Sequence, residues 1–308
     1  MTIVVAGYTG LVGSAIFEEL ERRGETSIGI NSKVVDLLDR KKTFEFIGDL
    51  KPDVVIDAAA IVGGIGANNA FPVDFLSKNL QIQNNLMDAS HAANVERFVF
   101  LGSSCIYPRE CPQPIKEEYL LTGPLEKTNS AYAIAKIAGI ELIRSYRKQF
   151  GHRWISLMPT NMYGPKDNFE LENSHVLPAL INRFVTATEN KDRSVTLWGT
   201  GTPKREFLHS RDLAQAVLLA LDKYDDDSHL NIGTGEDLTI KELAAKIAKE
   251  SGFEGEICWD SSKPDGTPRK VLDITRLKSL GWKPKITLEE GIRETIKWFK
   301  GNRDKVRT

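Results

Sequence analysis

The chain carries a short apolar run, Thr2 to Ala6, then Gly7-Tyr8-Thr9-Gly10-Leu11-Val12-Gly13, then a segment with Leu11, Ile16 and Leu20 at helical spacing that ends near Gly24. Apolar strand, glycine turn and amphipathic helix in that order predict the first half of a βαβ unit that binds a dinucleotide. The glycines permit a tight turn. They also let backbone N–H groups approach a pyrophosphate at the helix N-terminus, where the helix dipole favours negative charge.

The pattern then repeats. Apolar runs at Ser27 to Ile30, Val54 to Asp57, Arg97 to Leu101 and Trp154 to Leu157 read as strands. Phe75 to Ala93 and the run from Tyr132 to about Phe150 read as helices, and Asn68 and Asn69 read as loop residues. Strands and helices alternating at this spacing predict an α/β fold, a doubly wound parallel sheet of the Rossmann type. After about Gly164 the segments shorten and Pro, Gly and charge increase. Helices are expected over Val176 to Thr188, Leu213 to Leu221, Thr239 to Lys249 and from Leu288, with strands at Val195 to Trp198 and Leu230 to Ile232. The expected organisation is a dinucleotide-binding domain over 1–164, with returning segments near 206–222. Residues 165–308 would form mainly a smaller substrate-binding lobe that caps the C-terminal ends of the strands, where open α/β sheets bind ligands.

The end of the second strand bears on cofactor choice. An acidic residue there binds the ribose 2′-OH and repels a 2′-phosphate. This chain has Gly29-Ile30-Asn31-Ser32-Lys33 instead. With no acid in the way and Lys33 able to pair with a phosphate, the expectation is NADP rather than NAD.

Chemistry concentrates between Gly102 and Lys136. Ser103 and Ser104 follow a strand, and Tyr132 and Lys136 stand four apart in a helical run, on one face and about one turn apart. A hydroxyl, a phenol and an ammonium suffice to deliver a proton to a carbonyl oxygen, with the ammonium expected to draw the phenol below its ordinary pKa of about 10.

Composition excludes several classes. The 308 residues are 41% hydrophobic and 27% charged with a net charge of −1, so nothing marks a nucleic-acid or membrane-surface binder. No apolar run approaches the roughly 18 residues of a membrane span. Three cysteines, Cys105, Cys111 and Cys258, do not make a disulfide framework in so long a chain. Reduced thiols in the cytoplasm are the expectation, and no metal site is expected.

Six blocks in order carry a resemblance: LGSSCIYP from Leu101, YAIAKIAG from Tyr132, PTNMYGPKDNF from Pro159, NSHV from Asn173, WGTGTPKREFLH from Trp198 and SKPDGTPRK from Ser262. With them the chain resembles, from Val4 to about Phe299, the extended short-chain dehydrogenase/reductases that act on nucleotide sugars. The resemblance implies that Ser103, Tyr132 and Lys136 form a reductase triad, and that Cys105 and His175 are an acid/base pair for epimerisation. It implies cofactor contacts from Gly7, Tyr8, Thr9, Gly10, Leu11, Val12 and Gly13, from Leu101, Gly102, Ser103 and Ser104, from Lys136, from Pro159, Thr160, Asn161 and Met162, and from His175. Arg183, Trp198, Arg205 and Asp265 are implied contacts to a GDP-sugar. Better-known bacterial members place an arginine in the glycine loop, where this chain has Thr9, and another near the end of the second strand, where it has Asn31 to Lys33.

The implied substrate is a GDP-bound 4-keto-6-deoxy hexose. Protons on the carbons flanking its ketone are acidic because the carbanion is an enolate. Inverting such a centre needs a base on one face and an acid on the other, and a thiol near 8.5 and an imidazole near 6.5 bracket neutral pH. NADPH would then reduce carbon 4. The rival readings are a 4-epimerase or 4,6-dehydratase of the same fold, and a non-catalytic dinucleotide sensor. The resemblance also implies a homodimer joined through the helices Phe75 to Ala93 and Ala131 to Phe150.

Overall fold

A computed structural model describes residues 1–171, 174–263 and 265–306. The first half runs β1 (Thr2–Ala6), α1 (Leu11–Arg22), β2 (Thr26–Ile30), α2 (Arg40–Leu50), β3 (Val54–Asp57), α3 (Ile65–Ala70), α4 (Asn79–Ala92), β4 (Arg97–Leu101), α5 (Ser130–Phe150), β5 (Ile155–Pro159) and β6 (Asn161–Tyr163), of which the sequence pattern does not mark α2, α3 or β6. The second half runs α6 (Val176–Asn190), β7 (Ser194–Trp198), β8 (Lys204–Arg205), β9 (Phe207–His209), α7 (Ser210–Lys223), β10 (Leu230–Ile232), β11 (Leu238–Thr239), α8 (Ile240–Ser251), β12 (Glu256–Asp260), β13 (Arg269–Lys270), α9 (Thr275–Ser279) and α10 (Leu288–Gly301).

Six strands form one sheet in the order β10-β5-β4-β3-β1-β2. Every pairing in it is parallel. All residues of β3, β4 and β5 are buried, because helices cover both faces of a parallel sheet and leave no strand position in water. The chain leaves β1 for β2 on one side and returns to β3 on the other. The switch point between β1 and β3 is where such a sheet opens a ligand crevice.

Two apolar cores form. One holds the sheet together with Leu213 to Leu221 of α7 and with Leu272, Ile274, Leu277 and Trp282. The other is built around Phe169, Phe184, Leu243, Ile247, Ile292 and Phe299. Its helices α8 and α10 both begin with a reciprocal cap, Thr239 with Glu242 and Thr287 with Glu290, each satisfying two backbone groups that a helix start leaves free.

Two expectations need correction. Asn68 and Asn69 lie in α3 rather than in a loop. The Asn68 amide donates back to the carbonyls of Gly63 and Gly64 at 2.8 and 3.0 Å, closing a short turn that shows no apolar periodicity. The helix expected from Phe75 begins instead as a π-helical turn, Asp74–Lys78, before α4. Among the described residues, no helix is long and apolar enough to cross a membrane.

Candidate active site

The glycine turn is shaped by close approach. Gly7 has φ +78°, and a Cβ there would lie 2.7 Å from the Ala58 carbonyl oxygen after β3. A Cβ on Gly13 would lie 2.2 Å from the Gly7 carbonyl oxygen. Gly10 caps α1 in extended conformation with no side-chain acceptor, and the first turn carries no acid. The amides at this helix start therefore stay available to an anion. The turn touches the end of β2 through the Gly7 amide, which donates to the Ile30 carbonyl at 2.8 Å. Tyr8 lays its ring over Gly29 and against Phe17, with centroids 5.5 Å apart. Thr9 is exposed, and Lys33 stands exposed in the turn after β2, where its amide donates to Asn31 Oδ1 at 3.0 Å. The residues present thus fit a dinucleotide: a cradle that side chains would fill, an uncapped helix start, and a cation where a 2′-phosphate would lie.

Beyond β4 the chain turns sharply. Ser103 Oγ accepts the Cys105 amide at 3.3 Å, which leaves its own O–H free to donate into the crevice. Lys136, buried on α5, donates to the Leu101 carbonyl at 2.9 Å. Its ammonium lies 4.8 Å from the Phe100 ring centroid and 5.7 Å from that of Tyr132. Tyr132 is held edge-on by Phe75 at 6.2 Å. A Cβ on Gly139 would lie 2.3 Å from the Phe100 ring, so this glycine lets α5 settle on the sheet closely enough for Lys136 to reach Leu101.

Burial pushes the Tyr132 phenol well above its usual value, reinforced by Cys105 and Asp57. The depression expected from Lys136 is not found: burial first, then Cys105 and Asp57, hold the phenol up. Lys136 is itself lowered by burial, with Asp57 and Cys105 pulling it back up. The pair rests as phenol and ammonium.

Cys105 is buried. Burial raises its thiol, while Lys270, the Ser103 hydroxyl and Lys136 pull it down. His175 caps α6 with its backbone and makes no cap with its side chain. Loss of solvent around the imidazole and then Lys270 lower its pKa. The thiol and imidazole therefore move apart rather than bracket neutrality closely. Asn173 of the NSHV block lies outside the described residues.

Lys270 bears on both Cys105 and His175, yet the sequence reading did not single it out. β13 pairs with β8 in parallel, with Lys270 beside Arg205. The signal was present in the SKPDGTPRK block, but nothing in the sequence alone tells that this strand returns beside Arg205. Arg205 Nη1 donates to the Thr267 carbonyl at 2.6 Å. Asp265 spends both oxygens on Thr200, accepting its amide at 3.0 Å and its hydroxyl at 2.7 Å, and so pins the Gly199–Thr202 loop. Trp198 is 71% exposed, with the Lys263 ammonium 5.7 Å from its ring. Arg183 donates to the Thr196 carbonyl at 2.7 Å and lines a groove of about 290 Å³ with Leu171, Asn182 and Val195. The structure gathers Ser103, Cys105, Tyr132 and Lys136 beyond the C-terminal end of β4, an interior strand of the sheet. Arg183 and Trp198 belong to the outer lobe. Gly102 packs on Met158 of β5, Ser104 is buried, and just beyond β5 the Asn161 side-chain amide donates to the Glu206 carbonyl at 2.9 Å.

This sheet and crevice define a dinucleotide-dependent enzyme acting on sugar nucleotides. The chain belongs to the NAD dependent epimerase/dehydratase family, whose model matches residues 3–233. It is 49% identical over 315 residues to the GDP-L-fucose synthase of Escherichia coli (strain K12), covering 99% of this chain and 98% of that protein. It is 52% identical over 301 residues to GDP-L-fucose synthase 1 of Arabidopsis thaliana, covering 97% and 93%. A solved structure of a GDP-L-fucose synthetase from Naegleria fowleri bound to NADP superposes with a TM-score of 0.92 at 29% identity, covering 100% of this chain and 96% of that one.

Proposed function

We infer that this chain epimerises GDP-4-keto-6-deoxy-D-mannose at carbons 3 and 5 and then reduces carbon 4 to give GDP-L-fucose. What supports this reading is that Ser103, Cys105, Tyr132 and Lys136 gather beyond β4, and that the Lys270 charge reaches both Cys105 and His175. The phenol–ammonium pair of Tyr132 and Lys136 suits a ketone beside a nicotinamide. The thiol of Cys105 and the imidazole of His175, both under the charge of Lys270, suit proton exchange at its neighbouring carbons. The full-length relatives named above point the same way.

NADPH, when bound, supplies the hydride. The amides of the glycine turn from Gly7 to Gly13 would hold its pyrophosphate and Lys33 its 2′-phosphate. Leu101 to Ser104, Lys136, Pro159 to Met162 and His175 would flank the nicotinamide half. Arg183, Trp198, Arg205 and Asp265 would serve the GDP-sugar. Residues 1–164, with returning segments near 206–222, would carry the dinucleotide, and the remainder mainly the sugar nucleotide.

In the first stage the hydroxyls of Ser103 and Tyr132 donate to the ketone oxygen. A C–H bond at carbon 3 or 5 breaks, its proton goes to one member of the Cys105–His175 pair, and its electrons move into the carbonyl as an enolate. The two donors stabilise that oxygen where charge develops. The other member returns a proton on the opposite face, so one proton leaves and one arrives. In the second stage carbon 4 becomes an alkoxide that takes the Tyr132 proton, and the Lys136 ammonium stabilises the phenolate left behind. The ketone is consumed last, after it has made both neighbours acidic.

The test is incubation with GDP-4-keto-6-deoxy-D-mannose and NADPH, with the product read by NMR. GDP-L-fucose with one NADPH oxidised per sugar is the expected result. A product that keeps the D-manno configuration overturns the epimerase half, and no NADPH oxidation overturns the reductase half. In deuterated water the wild-type protein exchanges carbons 3 and 5, and Cys105→Ser loses that exchange. Retention of the wild-type exchange rate removes Cys105 from the mechanism.

The reading extends to assembly. α4 and α5 lie side by side, and Ile134 and Phe150 on α5 are each about half exposed, at 48% and 50%. Pairing of these helices with their twins in a homodimer would cover them.

A further inference from the structure

Asp57 ends β3 with 1% of its surface exposed. Its Oδ1 accepts the Ala59 amide at 3.1 Å, and its Oδ2 is buried without a partner. Holding one amide requires one oxygen, which an asparagine or serine supplies without the burden of a buried charge. The register shows what else the carboxyl serves. Asp57 pairs with Phe100 on β4, and directly paired residues of adjacent strands share one face of a sheet. That face is the one on which α5 sits, with the Lys136 ammonium over the Phe100 ring. Lys136 has three donors and one assigned acceptor, the Leu101 carbonyl.

We propose that Asp57 is the counter-charge of the buried Lys136 ammonium, a positioning residue that keeps the Tyr132–Lys136 pair in its proton-donating form. The proposal rests on the reading of that pair given above. A buried ammonium loses hydration and tends to shed its proton. A carboxylate on the neighbouring strand opposes that loss. The same negative charge disfavours ionisation of Tyr132. Reduction needs a phenol that still holds its proton and an ammonium ready to stabilise the phenolate, and a carboxylate at this position favours both. The titratable groups bearing on Lys136 are Asp57 from β3 and Cys105 from the loop after β4, and the same two bear on Tyr132. From α4, Gln83 packs against this helix through the Ala135 carbonyl and brings no charge.

Burial pushes the Asp57 carboxyl up to about 6, against the pull of Lys136 and of the Ala59 amide. Its folded value lies above its unfolded value, so ionising it costs stability as pH rises through the interval between them. Asp57→Asn is therefore expected to be more stable than the wild-type protein above pH 6, with the difference gone below about pH 4.

The deciding measurement is the titration of Lys136 in cofactor-free protein. It is followed by the ¹³C shift of lysine Cε in labelled protein and assigned with Lys136→Arg. In Asp57→Asn the Lys136 midpoint is expected about one pH unit lower than in wild type. The alkaline limb of the reduction profile moves down by the same amount, roughly a tenfold loss of rate well above that limb. Should Asp57→Asn not fold, Asp57→Ser gives the same comparison. A Lys136 midpoint that does not move overturns the proposal, as does a variant less stable than wild type at pH 8 with an unmoved midpoint, which makes Asp57 a tether for Ala59 alone. Failure of the wild-type protein to reduce the keto sugar sinks the reading of the site instead, and the cofactor-free titration still decides the role of Asp57.

Discussion

At the scale of single residues the crevice works by unequal solvation. Ser103 accepts one backbone amide and keeps a hydroxyl to give, while Tyr132 is enclosed until its phenol cannot ionise before a ketone oxygen needs the proton. Tyr132→Phe removes the hydroxyl that both holds the ketone oxygen and supplies its proton. It is expected to lower the rate of NADPH oxidation with the keto sugar by about 10²- to 10⁴-fold and to leave NADPH affinity, measured by fluorescence titration, close to wild type. A rate within tenfold of wild type would assign the proton to another group. The spacing of Tyr132 and Lys136 was legible in the sequence, because helical geometry alone brings residues four apart onto one face. The direction of the phenol shift was not, since it depends on Asp57 arriving from β3 and Cys105 from the next loop. Asp57 itself left a trace, an acid closing an all-apolar strand, but such an acid is meaningful only once its neighbour strand is known.

At the scale of elements, Glu206 between β8 and β9 does the joining. It is fully buried, and burial raises its carboxyl while backbone donors pull it down. Its oxygens accept the amides of Thr234 at 2.5 Å, Gly235 at 2.7 Å and Leu272 at 2.9 Å, and its carbonyl accepts the Asn161 side chain. A Cβ on Gly233 would lie 2.2 Å from Oε1, so that turn has to come in as bare backbone. Glu206→Ala leaves three buried donors unpaired and is expected to cost about 3 kcal/mol or more in urea unfolding. A loss under about 1 kcal/mol would mean that water or a shifted loop replaces the carboxylate. The family resemblance pointed to Arg205 and passed over its neighbour Glu206, while periodicity marked most of the sheet strands and the longer helices. It did not draw the helices α2 and α3, the strand β12, or the two-residue strands β8, β11 and β13, the last three of which exist only because distant segments pair. Most of the sheet was thus readable, whereas the Lys270 side of the crevice was not.

At the scale of the whole molecule the open question is how many copies act together. The half-exposed Ile134 and Phe150 lie on α5, the helix that carries Tyr132 and Lys136. A homodimer built on that helix would stiffen the catalytic element from behind. Light scattering at micromolar concentration is expected to give twice the mass of the chain, and Ile134→Glu with Phe150→Glu to give the single mass. A wild-type protein of single mass would remove the assembly from the account.

The segment from Val271 to Asp273 is stitched to the loop around Ile115. Ile115 donates to Val271 at 2.8 Å, Asp273 donates to Ile115 at 2.8 Å, and the Val271 amide donates to Gln113 Oε1 at 2.9 Å. Asn231 fastens the same seam through the carbonyls of Ile115 and Asp273. This seam ties the Ile115 loop to a segment of the same apolar core, which holds Ile115, Leu272 and Ile274 together. Lys270 immediately precedes this seam, so the backbone that carries its charge toward Cys105 is anchored on one side by pairing with Arg205 and on the other by the Ile115 loop.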